Sequence, residues 1–568
     1  MNRATATIGL ALALLGGGMC PPVPAGEAPA PRGAAIELPP MMVEESVSAA
    51  TWLHAHAGGA EFLSRCSAFT TRDFIAAWLQ RMQLIRALVP EEFLGRSDVP
   101  TVIILYSQNL EQTISAEIQR ELETNARREG ESARGERVNI APNMRLSDRD
   151  MHASIIYLDE SQFNAAGLSI APSHVRFLVK TRVPELPAWL IDGIERTWHS
   201  ADFVMDPITL RPLVWHTQRE SDALAIDPMR PRALLPAGEL FATEAMRALE
   251  NRHPRHRATR QATQELFFRW AITSSAATRE ALWKFAAHAA EAPVTEALFE
   301  SCFGFDFAEL RDRLSDYLPK AVDRAAWIAP GDLPPAPDFE VKPATPSQIA
   351  RVRGEWERLA IEHVHRRLPQ VREPYIAQAR RTLRRAYDAG DRDPRLLATM
   401  GLCEIDARNP AGAGQYLEPA VAAGVARPRA YFELALLRFD ELRRDAPETK
   451  AFSFTELAPV IQPLQRAVTQ APPLPEVFML LAEAWARCEL APSPAEFAAL
   501  ALGARLFAQN ASVAYPIAVA FSRHGKKAEA AAVLDACSGA APDDSTRERI
   551  RELRADLAAA LAQPPAAL

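Results

Sequence analysis

The sequence predicts an α+β region followed by an all-α array of helical pairs, and three observations carry this. Two stretches of the second half superimpose when slid by 34 residues (379 to 413): Ala379, Leu383, Ala386 and Pro394 recur as Ala413, Leu417, Ala420 and Pro428. The first half instead mixes an amphipathic helix with β-branched runs. Between them, prolines crowd from Pro330 to Pro346 beside Gly331 and several acidic residues, the composition of a linker.

The recurrence sets Leu between two small Ala residues and ends on a Pro, so one helix of each pair can approach its neighbours closely. At the C-terminal end Ala518, Phe521, Gly525, Ala530 and Leu534 continue the pattern, with a turn and second helix in SRHGKKAEAAAVLD. Met400-Gly401, Leu434-Ala435 and Leu481-Ala482 occupy a large-small position in first helices. This periodic pattern resembles the tetratricopeptide repeat (TPR), which stacks helical pairs into a solenoid with a concave binding face. Insertions, including Pro472, Pro473 and Pro475, make the array irregular, with four or five pairs between about residues 348 and 562. The resemblance implies a protein or peptide ligand on the first-helix face. The charged candidates there are Glu404 and Arg408, Glu433 and Arg438, and Glu483 and Arg487.

In the first half, Thr70 to Val89 reads as a helix: Thr70 and Asp73 suggest a capping box, and Phe74, Trp78, Met82 and Ile85 form one stripe. Thr101–Tyr106 and Ser154–Leu158 read as strands, separated by a charged, loop-like segment from Arg127 to Arg137. Then comes PELPAWLIDGIERTW, from Pro184 to Trp198, and later a Phe-Gly turn inside Pro293–Leu318. This order resembles secreted HExxH-type zinc metallopeptidases of the gluzincin kind, and implies a zincin-like domain over residues 43–325.

The residues of that chemistry depart from the family. Two His one helical turn apart with an intervening Glu are required. Starting at His174, the Glu is replaced by Val175 and the second His by Leu178; an alternative register places Arg176 in the motif. An Arg beside a dication repels it. Asp192 stands where the resemblance places the third-ligand Glu. His174, Arg176, Asp192 and His199 are therefore read as a vestigial site, with no metal, cofactor or catalytic residue expected. A non-consensus His174/Asp192/His199 zinc site remains the alternative.

At 568 residues the chain can hold two or three full cores, and its net charge of −7 with 24% charged residues does not suit an electrostatic nucleic-acid binder. No run after the N-terminus is long and apolar enough to span a membrane. Residues 1–25 read as an export signal, with Arg3, an apolar Ile8–Leu15 segment and Val23-Pro24-Ala25. Met19 before Cys20 does not suit a lipid anchor. Cys66, Cys302, Cys403, Cys488 and Cys537 are too few and too scattered for a disulfide scaffold. The expectation is an exported protein, periplasmic, envelope-bound or secreted. It binds a protein or peptide without catalysis, and its oligomeric state is open. The runner-up is a zinc-dependent hydrolase. Few contacts are expected to cross the 326–347 linker.

Overall fold

The computed structural model describes residues 51–94, 101–107, 144–165, 168, 172–180, 182, 184–202, 209–215, 234–241, 254–291, 294–327, 337–367, 372–444, 446–447, 450–508, 510–537 and 543–562. The export segment, Cys20, the Arg127–Arg137 loop and residues 328–336 of the linker lie outside these.

The first strands are β1 (Leu53–Ala57) and β2 (Ala60–Ser64), joined across Gly58 and Gly59 with φ of 56° and 80°. A two-residue turn of this hand favours Gly at both positions, so the Ala-Gly-Gly-Ala segment marks a hairpin that the sequence reading missed. Helix α1 (Ala68–Leu88) follows, with Phe74, Trp78, Met82 and Ile85 buried as expected. Its cap is Ser67, whose side chain accepts from the Thr70 amide, and not the expected pairing of Thr70 with Asp73. Strand β3 (Thr101–Ser107) and the hairpin of β4 (Met144–Ser147) and β5 (His152–Leu158) extend the sheet. Strand β9 (Lys342–Pro343), from the proline-rich segment, closes one edge. The order is β4-β5-β3-β2-β1-β9, with β2, β3 and β5 parallel and the outer pairs antiparallel.

Alternation divides β3 between two cores. Ile103 and Leu105 face a cluster with Phe74, Trp78 and Ile85 of α1. Val102, Ile104 and Tyr106 face a second cluster on the other side. A strand that is apolar on both faces needs cover on both.

The same apolar cluster runs on through α2 (Pro172–Lys180), α3 (Ala188–His199), α5 (Pro254–Ser274), α6 (Ala276–Glu291), α7 (Glu296–Phe303) and α8 (Phe307–Asp323); α4 (Ala237–Leu240) is a single turn. The expected Phe-Gly turn is present: Gly304, with φ 79°, ends α7, and Asp306 caps α8. Three two-residue strands, β6 (Ala201–Asp202), β7 (Thr209–Leu210) and β8 (Ala326–Trp327), form a small second sheet.

The rest is helical: α9 (Pro346–Arg367), α10 (Arg372–Asp388), α11 (Pro394–Asp406), α12 (Pro410–Ala422), α13 (Pro428–Arg443), α14 (Phe454–Val468), α15 (Pro475–Ala486), α16 (Pro494–Leu506), α17 (Ala511–Arg523), α18 (Lys527–Ala536) and α19 (Asp544–Ala562). A Cβ on Gly354 of α9 would sit 2.3 Å from Leu383 of α10; one on Gly401 of α11 would sit 2.6 Å from Leu417 of α12. Both leucines of the 34-residue recurrence thus fill a gap left by a glycine of the preceding helix. The small residues permit the approach, and the leucines seal it.

The expectation that few contacts cross the linker is overturned. Val352, Trp356, Leu359 and Ala360 of α9, at helical spacing, cover the second face of the sheet against Val102, Ile104, Tyr106, Ile155 and Tyr157.

Candidate ligand-binding cleft

Charge follows that apolar contact. Glu61 on β2 is fully buried and receives both terminal nitrogens of Arg351 on α9, Arg395 of α11 at 3.1 Å and His54 Nε2 at 2.8 Å. In the β4–β5 turn, Asp150 accepts Arg427 through Nε at 3.1 Å and Nη2 at 3.0 Å, both residues at 0% exposure. Asp148 takes Arg358 of α9 at 2.7 Å and Arg429 of α13 at 2.5 Å. Arg149 reaches Glu476 of α15 at 2.7 Å. The turn is therefore clasped by residues of α9, α13 and α15, the alternate helices of the array. Burial alone would raise the Asp148 and Glu61 carboxyls. The guanidiniums around Asp148, and the hydrogen bonds of His54 and Arg351 to Glu61, outweigh it and hold both well below the usual range.

Beside this clasp opens a cavity of about 860 Å³. One wall is Arg176, Phe177 and Lys180 of α2 with Arg182, Pro184 and Glu185. The other is Pro472 to Glu476 with Leu506, Phe507, Asn510 and Ser512. Its volume lies in the range of ligand sites.

The four residues expected to mark a lost metal site divide. Arg176 lines the cleft, held by Asp192 at 2.7 Å and Glu195 at 2.8 Å on α3. Burial would lower its pKa; the two carboxylates raise it. His174 points into the core, its ring 5.2 Å from that of His152 on β5 and 6.1 Å from Trp78. Burial, with His152 and Arg145 nearby, lowers its pKa to about 3, and burial lowers that of His152 to about 4. His199, at the end of α3, is also lowered by burial and by Arg196 and Arg211. His174 is buried in α2 together with Val175 and Val179. Trp189, Leu190 and Ile194 are buried, and Trp189 packs on Phe241, Phe267 and Phe285.

Among the described residues, the three possible metal-ligating side chains that converge are His54, His56 and Glu61, not His174, Asp192 and His199. Glu61 is already bound by Arg351 and Arg395, whose charge opposes a dication.

The six array candidates do not form one free face. Glu404 accepts from Arg380 of α10 at 2.8 Å and lines a smaller recess of about 380 Å³ with Met400, Cys403 and Tyr416. Arg408 is exposed, with φ 57°. Glu433 is buried and pairs with Arg429 one helical turn earlier, whose guanidinium also holds Asp148 of the β4–β5 turn. Arg438 pairs with Glu418 of α12, Glu483 with Arg443 of α13, and Arg487 donates to the Lys450 and Pro447 carbonyls. These charges tie elements together. The cleft residues Phe177, Lys180, Arg182 and Phe507 escaped the sequence reading because their walls lie far apart in the chain.

A scan of the chain against protein-family models finds no match, and a search of curated proteins finds none. Among the described residues, no helix is long and apolar enough to cross a membrane.

Proposed function

We propose that this is an exported, non-catalytic binding protein whose cleft takes a protein or peptide segment. In this reading the helical array is TPR-like and the sheet-bearing half is a gluzincin-like domain that has lost its metal site. The observation that carries it is the cleft itself, about 860 Å³ with aromatic and basic side chains on one wall and a proline-rich wall facing it. Glycine-leucine seating at Gly354/Leu383 and Gly401/Leu417 supports the repeat reading. The tie of Arg176 to Asp192 supports loss of the metal site, since a residue at each motif position now satisfies the other. The array's alternate-helix face is partly covered by the chain's own β4–β5 turn, so the ligand belongs in the adjoining cleft.

The test is capture of a partner from envelope extract by the full chain, repeated with a Phe177→Ala, Phe507→Ala double variant that keeps its thermal melt. Loss of the captured partner is expected. Equal retention by the double variant places binding elsewhere and defeats the reading.

A further inference from the structure

The cations of the cleft are not equivalent. Arg176 is neutralised by Asp192 and Glu195, and Arg149 by Glu476. Lys180 has Glu185 at 3.6 Å, with both side chains about half or more exposed, a weak pair. Arg182 differs from all three. Its Nε donates to the Glu92 carbonyl at 3.3 Å and its Nη1 to the Pro184 carbonyl at 2.7 Å, while its guanidinium lies 4.9 Å from the Phe93 ring centroid. Among the described residues no carboxylate forms an ion pair with it. Two backbone carbonyls and a ring fix its plane, Glu291 and Glu92 act on its charge only from beyond ion-pair distance, and among the described residues Nη2 has no hydrogen-bond partner. Burial lowers its pKa despite the pull of Glu291 and Glu92, so the cation is desolvated without full compensation. A fixed guanidinium of this kind is suited to a carboxylate. Phe177, Leu474, Leu506 and Phe507 supply apolar surface within the same cavity.

Resting on the proposed peptide-binding cleft, we infer that its ligand is an acidic peptide segment, with a carboxylate on Arg182 beside Lys180 and apolar side chains against Phe177 and Phe507. The pairing is specific in direction: a basic segment meets the Arg182 cation, while the cleft carboxylates Asp148, Glu185 and Glu476 are already paired with Arg358 and Arg429, Lys180 and Arg149.

The experiment pans short random peptides displayed on phage against the full chain, then measures the enriched peptides by fluorescence anisotropy at low and high salt. The expected result is enrichment of Asp or Glu together with aromatic or aliphatic residues. Arg182→Gln should weaken binding about tenfold or more, added salt should weaken it further, and Phe177→Ala should weaken it independently of salt. Neutral or basic peptides that bind Arg182→Gln undiminished but lose affinity with Phe177→Ala overturn the acidic assignment and leave the cleft reading standing. Peptides insensitive to both substitutions, or no enrichment at all, overturn both. Matching thermal melts of the variants exclude unfolding as the cause.

Discussion

Replacing Asp150 by Ala tests how the sheet and the helical array are held together. Asp150 and Arg427 are each fully buried, joined by two hydrogen bonds of 3.0 and 3.1 Å, and Asp150 also accepts the Arg429 amide at 3.2 Å near the start of α13. Without the carboxylate, Arg427 keeps, among the described residues, Glu355 at 3.6 Å and the Met151 sulfur as direct partners, with Asp148 acting from farther off. Leaving one member of a buried pair uncompensated costs about 3–5 kcal/mol. The loss of a helix-start acceptor adds about 0.5–2 kcal/mol. Urea unfolding followed by tryptophan fluorescence and by circular dichroism should show the midpoint fall with both signals moving together. An Asp150→Leu, Arg427→Met double variant should recover part of the loss, because an apolar pair needs no charge compensation. A loss below about 1 kcal/mol, or two transitions of which one is unmoved, would refute the idea that the clasp fuses the halves.

Trp189→Ala should cost about 3–5 kcal/mol in the same assay, since its ring fills a cluster with Phe241, Phe267 and Phe285; an unchanged midpoint contradicts this packing. Gly401→Ala should destabilise by about 1–3 kcal/mol despite the better helix propensity of Ala, because its methyl meets Leu417 at 2.6 Å; a stabilised variant shows that the helices can part freely. The folded-state pKa values of His152 and His174, about 4 and about 3, lie below the ordinary 6.5. The unfolded chain therefore takes up these protons first, and stability falls as pH drops below about 6.5. Between pH 6.5 and 5 the fall is on the order of 2 kcal/mol for each histidine. It should shrink in His174→Leu relative to the parent, and an equal slope in both would sink the assignment. Protein purified without added metal should carry no stoichiometric zinc; zinc that disappears with a hydrolytic activity on His174→Ala would instead support the hydrolase.

Local pattern determined much of this chain. The stripe Phe74, Trp78, Met82 and Ile85 implied α1, the β-branched run implied β3, and the Gly304 turn separated two helices as its sequence suggested. The 34-residue recurrence picked out leucines that do sit in glycine gaps. These features depend on neighbours within a few turns, so sequence spacing carries them. The site did not follow from spacing. His174 stood out in the sequence as a candidate site residue, but its surroundings come from β5 and α1. Glu433 looked like a surface charge, but its i−4 partner Arg429 is also held by Asp148, far away in sequence, and Glu433 is buried. One sign of the larger arrangement was present unread: Thr101–Ser107 is apolar at alternating and intervening positions alike, which requires cover on both faces of the sheet. Which helix supplies that cover, and so where the cleft lies, was decided only in the tertiary structure. Buried ion pairs and interleaved cores form between residues hundreds of positions apart, and no local periodicity encodes their partners.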